Sequence, residues 1–247
     1  MSAVKEPFVF ATERFRQRLG EYAGMLDPAA AARGESSTVY SQYPHFGDVP
    51  ARIAATVPRA SFVYVVRDPV ERALAHYRQR WANGDEERPP GVAFADYGEP
   101  ASVYLAASRY ATQLRLFLAR FPADRFLVVD QADLRERRGA TLTRIFSFVG
   151  VEPGATRVLP ERHLNTAEDL RVATAAGRRL GDSGLVRAGR RLPLPGPVRR
   201  LARDALSRRV PSPQLEPELR ERIAASLRDE VAWLREFAGE TFAGWST

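Results

Sequence analysis

The chain has 247 residues, 45% of them hydrophobic and 27% charged, with a formal net charge of +7, which is enough to bury one large core. It has no cysteine, which excludes disulfides, thiolate metal sites and cysteine nucleophiles. No apolar run approaches the ~20 residues that cross a bilayer, and the opening MSAVKEPFVF lacks the pattern of a signal peptide, so the expectation is a cytoplasmic protein.

The positive balance has two readings. It suits an anionic partner. It also suits a coding bias, since Lys5 is the only lysine, every other basic residue except the histidines is arginine, and alanine is abundant. Local clusters therefore carry more information than the total.

In chain order, RFRQRLGEYAGML (residues 14–26) spaces its apolar residues at three and four, a helical period. STVYSQ (37–42) is a weak strand candidate. DVPARIAATV (48–57) reads as a short helix, with Asp48 as its cap and Pro50 in the first turn. FVYVV (62–66) reads as a buried strand, and residues 70–81 follow as an amphipathic helix. VYLAASRYATQLRLFLARF (103–121) predicts a long helix, RFLVV (125–129) a second buried strand, and ATLTRIFSFVG a helix stopped by Gly150. After Pro160 the pattern dissolves into arginine, proline and glycine, and residues 187–213 form a basic segment. From Leu215 a last helix places Leu219, Ile223, Leu227, Val231 and Leu234 on one face. Continuous apolar strands separated by helices predict an α/β domain with a central parallel sheet. A single domain over residues 1–247 is expected.

The seam between the first strand and its helix is FVYVVRDPVERALAHY (62–77). In parallel sheets, ligands bind at the carboxyl ends of strands, where Arg67 stands. Asp68 suits an N-cap and Pro69 the first helical turn. A helix N-terminus beside a guanidinium offers a fork of donors to a phosphate or sulfate. The other reading is that Arg67 pairs with Asp68 or Glu71 and fixes the turn.

VVRDPVERALAHY resembles the 3′-phosphate motif of sulfotransferases that use 3′-phosphoadenosine 5′-phosphosulfate (PAPS), in wording closest to the heparan-sulfate-type branch and its bacterial relatives. Other stretches are similar to that family in the same order. VKEPFVF resembles its Lys-Glu-Pro-x-Phe-Phe segment and GESSTVY its Gly-Glu-Lys-Ser/Thr-Pro-x-Tyr segment. SRYATQLRLFLARFPADRFLVVDQADLRERRGATLTRIFSFVGV resembles its next helix, strand and helix. LREFAGETFAGW resembles its last helix and closing tryptophan. Residues 171–213 fall outside the resemblance.

The resemblance implies a three-layer P-loop-like α/β fold and in-line transfer of a sulfuryl group from PAPS to a hydroxyl or amine of a carbohydrate or small-molecule acceptor, without a metal. It places Arg67 on the 3′-phosphate, Glu6 at the position of the acceptor's base and Lys5 at the rim of the sulfuryl site. Tyr110 matches a family tyrosine that either lines the acceptor pocket or packs in the core with its hydroxyl bonded.

The chain also departs from the family. The family's first strand and Lys-x-Gly-Thr-Thr-like loop have no counterpart here, and no GxxxxGK[ST] occurs. Ala75 replaces the family's serine on the 3′-phosphate, and Ser36 replaces the lysine of its Gly-Glu-Lys segment. Two explanations follow: an N-terminally shortened version of a complete enzyme, or a catalytically inactive relative that binds an anionic glycan or a membrane surface. The first strand lies inside the family's sheet, so its absence is expected to leave an unpaired strand edge and an apolar face.

The three histidines, His45, His76 and His163, show no metal-ligand spacing. Asp130 and Asp133 stand at the second strand end without assigned chemistry. The basic segment fits a nucleotide lid, an anionic-acceptor surface, peripheral membrane contact or a solvated helix. No nucleic-acid-binding pattern accompanies the charge. A nucleotide kinase on the same fold is disfavoured, because it needs a Walker lysine and a metal-positioning Ser/Thr.

Overall fold

The structure is a computed structural model and describes residues 1–152, 171–173, 207–209 and 214–247. The chain divides into two compact units. One holds Met1–Ala73, Phe94–Leu159 and Pro217–Thr247; the other holds Leu74–Ala93 and Pro160–Glu216.

In the first unit, β1 (Phe62–Val66) pairs in parallel with β2 (Phe126–Asp130), Phe62 facing Phe126 and Val66 facing Asp130. Two parallel strands require a crossover, and the chain between them supplies helices. These are α3 (Pro69–Asn83), which belongs to the second unit from Leu74 onward, the single turn α4 (Pro90–Ala93), also of the second unit, and α5 (Tyr110–Leu118) of the first. Before β1 come α1 (Leu19–Gly24) and α2 (Val49–Thr56); after β2 come α6 (Gln131–Glu136), α7 (Arg138–Phe148) and α8 (Pro217–Ala238). The expected α/β class with a parallel sheet is what the chain forms.

Two apolar clusters flank the strand pair. At the N-terminal end of the strands, Phe62 and Phe126 stack at 4.9 Å and meet Phe117, Phe121, Ile53, Val9 and Phe10. Toward the other end, Val66 and Val128 pack with Tyr110 and Leu114 of α5 and with Leu234 of α8. The residues of α8 spaced for one face, Leu219, Ile223, Leu227, Val231 and Leu234, are all buried, as the 3.6-residue period requires. The other face of β1 is different: Val65 is 46% exposed. Among the described residues β2 is the only strand paired with β1.

Several sequence expectations need correction. Residues 37–42 are not a strand; Thr38–Ser41 form a 3-10 turn. Apolar, β-branched residues suit a strand only where a partner strand receives them, and here side-chain bonds take over. Ser37 and Tyr40 both bond to the backbone of another segment. The long helix expected over 103–121 is broken into a 3-10 turn, Ala106–Ser108, and α5. Arg109 takes a non-helical φ of −81° and ψ of 72°, while Ser108 Oγ donates to the Pro69 carbonyl at 2.8 Å. Asp48 precedes α2 but has a φ of 58° and makes no side-chain cap bond. Gly150 does end α7, with a φ of 72° and a Val151 N–H bond back to Phe146, the geometry a C-terminal glycine permits.

In the second unit, Arg171–Ala173 (β3) and Ser207–Arg209 (β4) form an antiparallel pair. Tyr77 donates its hydroxyl to the Arg88 carbonyl at 2.8 Å, and Arg88 closes on the buried Glu86 at 2.6 Å. Most of the basic segment 187–213 lies outside the described residues. No helix among the described residues is long and apolar enough to cross a membrane.

Candidate functional site

The parallel register brings the carboxyl ends of β1 and β2 side by side, since Val66 stands opposite Asp130. Arg67 follows immediately. Asp68 then caps α3: its Oδ1 accepts from the N–H groups of Val70 and Glu71, both at 2.9 Å. This is the cap expected from the sequence, and it takes up two of the donors a helix start otherwise leaves open.

Both carboxylates near Arg67 also have tasks of their own. Asp68 Oδ1 is the cap, and Asp68 Oδ2 accepts from the Ser246 N–H at 2.5 Å. Glu71 closes on Arg220 at 2.6 Å. Arg67 Nη2 donates to the Arg72 carbonyl at 3.4 Å.

The backbone of Arg67 is held from beneath by Tyr110. The tyrosine hydroxyl donates to the Arg67 carbonyl at 2.8 Å and lies 3.5 Å from the Arg67 N–H. Tyr110 is 3% exposed, and burial pushes its hydroxyl up to about 12, with Arg72 and Arg67 pulling the other way. Tyr110 is packed with its hydroxyl engaged by the Arg67 backbone. Arg72, one turn into α3, donates Nη1 to the Tyr104 carbonyl at 3.0 Å, and burial lowers the basicity of its guanidinium.

At the second strand end, Asp130 Oδ1 caps α6 through the Ala132 N–H at 3.0 Å, and its Oδ2 accepts from Trp245 Nε1 at 3.0 Å. Sequence reasoning assigns Asp130 no task and marks Trp245 only by resemblance. A signal was present: each strand leads into an aspartate that caps a helix, VVRD and LVVD.

Lys5 and Glu6 lie in the same compact unit as Arg67. Lys5 is exposed and Glu6 half-buried. The two segments quoted for their resemblance, residues 4–10 and 34–40, meet. The Phe8 N–H donates to Ser37 Oγ at 3.2 Å, Ser37 Oγ donates to Glu35 at 2.7 Å, and the Phe10 N–H donates to the Tyr40 hydroxyl at 3.2 Å. Burial and Glu35 together raise the Tyr40 hydroxyl, and burial followed by the Glu35 charge raises Tyr22 to about 12. Glu6 and Phe8 have φ values of 50° and 52°, a left-handed conformation that costs such residues of the order of 1 kcal/mol each. The 35–40 network holds the segment in that shape. Glu35, Ser37 and Tyr40 are thus supports that sequence reasoning did not single out one by one.

Ala75 and His76 lie on α3, in the portion assigned to the other unit. Among the described residues no group of three or more His, Asp or Glu is arranged to hold a metal. A separate cleft of about 180 Å³ is bordered by Tyr43, Arg109, Thr112 and Glu230. In it Glu230 accepts from both the N–H and the hydroxyl of Thr112, at 2.8 and 2.6 Å.

The carboxyl ends of the parallel pair thus carry an arginine and two helix-capping aspartates, and in open α/β sheets ligands bind at that edge. A model of the sulfotransferase family matches residues 11–154, more than half of the chain, and the chain belongs to that family. Bifunctional heparan sulfate N-deacetylase/N-sulfotransferase 2 of Bos taurus is 30% identical over 118 residues, 42% of this chain and 13% of that protein. Bifunctional heparan sulfate N-deacetylase/N-sulfotransferase 3 of Mus musculus is 26% identical over 126 residues, 46% of this chain and 14% of that protein. The matches thus cover only a small part of these curated relatives. A crystal structure of a sulfotransferase from Alicyclobacillus acidocaldarius superposes with a TM-score of 0.65 at 18% identity, over 100% of this chain and 87% of that one. Together with the parallel pair, that likeness defines the fold as the P-loop-like α/β type.

Proposed function

We propose that this chain transfers a sulfuryl group from PAPS to a hydroxyl or amine, with Arg67 receiving the nucleotide's 3′-phosphate. The observation that carries the reading is the seam. Arg67 stands directly after a strand's carboxyl end, beside the capped start of α3, and its backbone is held by Tyr110. Membership of the sulfotransferase family supports the reaction class. The heparan sulfate N-sulfotransferase named among the relatives supports a carbohydrate acceptor and an amine nucleophile.

In the reaction, the acceptor's lone pair forms a new bond to sulfur as the bond from sulfur to the bridging phosphate oxygen breaks. Adenosine 3′,5′-bisphosphate leaves, and the acceptor's proton passes to a carboxylate base. We assign that base to Glu6, whose strained backbone is held by the 35–40 network. Lys5 beside it supplies positive charge toward the transferring group.

The test is calorimetric binding of adenosine 3′,5′-bisphosphate to the wild-type chain and to Arg67→Ala. A tenfold or greater loss, about 1.4 kcal/mol, is expected. An unchanged affinity removes Arg67 from the site.

A further inference from the structure

The two strand-end aspartates divide their carboxylates in the same way. Asp68 Oδ1 caps α3 and Asp130 Oδ1 caps α6. Asp68 Oδ2 holds the Ser246 N–H, and Asp130 Oδ2 holds the Trp245 indole N–H. Residues 242–247, which follow α8, are therefore tied to both strand ends at once.

The same segment is fastened from other sides. Arg235 of α8 donates to the carbonyls of Thr241 and Thr247, at 2.9 and 2.8 Å. The Trp245 ring stacks on Phe242 at 4.5 Å and lies 5.9 Å from the ring of Tyr110. Phe242 is itself 5% exposed. Tyr110 holds the Arg67 carbonyl. A continuous set of contacts thus runs from Asp130 through Trp245 and Tyr110 to Arg67, and a second runs from Ser246 to Asp68.

We infer that Trp245 is a positioning residue for Arg67. Its indole fixes Tyr110 against the second strand end, and Tyr110 fixes the carbonyl of Arg67. The backbone from which the Arg67 side chain departs is then set before the ligand arrives. Preorganisation of this kind is where a single guanidinium gains affinity, because the ordering cost is met on folding rather than on binding. Displacement of a clamp by ~1 Å costs up to ~10²-fold where geometry governs. The inference rests on the reading of Arg67 as the 3′-phosphate residue.

The experiment compares adenosine 3′,5′-bisphosphate with 5′-AMP, which lacks the 3′-phosphate. Affinities are measured by calorimetry for wild type, Arg67→Ala, Trp245→Phe and Ser246→Pro. Trp245→Phe keeps an aromatic ring and loses the N–H; Ser246→Pro removes the bond to Asp68 and serves if the first variant does not fold. The readout is the ratio of the two affinities. A structural loss alone weakens both nucleotides alike and leaves the ratio unchanged. The expected result is a fall in the ratio of at least about threefold in both tail variants, with 5′-AMP binding little altered. A wild-type ratio retained in the tail variants but collapsed in Arg67→Ala overturns the positioning role alone. A wild-type ratio near one, indifferent to Arg67→Ala, overturns the assignment of Arg67 and the inference with it.

Discussion

Replacing Tyr110 with phenylalanine isolates one hydroxyl. The ring contacts to Tyr64 at 5.9 Å and to Trp245 at 5.9 Å survive the change. What disappears is the 2.8 Å bond to the Arg67 carbonyl. A hydrogen bond contributes about 0.5–1.5 kcal/mol net, and a partly buried carbonyl left without a donor costs about 1–3 kcal/mol. The variant should therefore lose about 1–3 kcal/mol at neutral pH. At roughly 2–4 °C per kcal/mol for a chain of this size, that is a drop in melting temperature of about 2–12 °C.

A second signature separates the hydroxyl from general damage. Burial raises the Tyr110 hydroxyl to about 12, against about 10 in an unfolded chain. A folded value above the unfolded one means that the stabilisation is complete below pH ~10 and is lost as pH rises from ~10 through ~12. Two units correspond to about 3 kcal/mol. Tyr110→Phe lacks this loss, so its deficit relative to wild type narrows as pH climbs through the window. Urea unfolding at neutral and alkaline pH, with tyrosinate absorbance recorded alongside, checks both effects. A variant as stable as wild type at neutral pH, or a deficit that does not change with pH, refutes the reasoning.

Two further outcomes test other parts of the fold. Gln113 is 1% exposed and bonds both the N–H and the carbonyl of Tyr43, and also the Ala106 carbonyl. Gln113→Leu strands those groups and should cost about 2–5 kcal/mol by denaturant titration; a loss below about 1 kcal/mol would show that they find other partners. On β1, Val65→Thr should change stability by no more than about 0.5 kcal/mol. Val66→Thr, which buries a hydroxyl at a 2% exposed position, should cost about 1–3 kcal/mol. Equal costs at the two positions would mean that the Val65 face is covered in solution.

The parts legible in the sequence were those governed by local chemistry. FVYVV and the second strand announced themselves through continuous apolar residues, and α8 through its period. Asp68 and Pro69 spelled out a helix start that the structure reproduces bond for bond. The sequence misled where one segment depends on another. STVYSQ has strand composition but pairs with no strand among the described residues. The apolar period over 103–121 continues through Arg109, whose Nη2 is drawn to the carbonyls of Tyr97 and Gly98. A helix there would have required Arg109 to abandon its observed backbone angles.

The candidate site divides along the same line. Arg67 was visible because strand, arginine, cap and proline are contiguous. Its supports were not, because they arrive from far along the chain: Tyr110 from 43 residues away, and Ser246 reaching Asp68 from 178 residues away. Trp245 meets Asp130 across 115 residues. Motif spacing carries no information about such contacts; only the parallel register does, by setting Val66 opposite Asp130. Once that pairing is made, two aspartates that looked like ordinary caps acquire a second oxygen each for the same six-residue segment. Substituting either aspartate would therefore remove a helix cap and a tail contact together. The indole of Trp245 and the Ser246 N–H are the places where the tail's part can be removed while the caps remain.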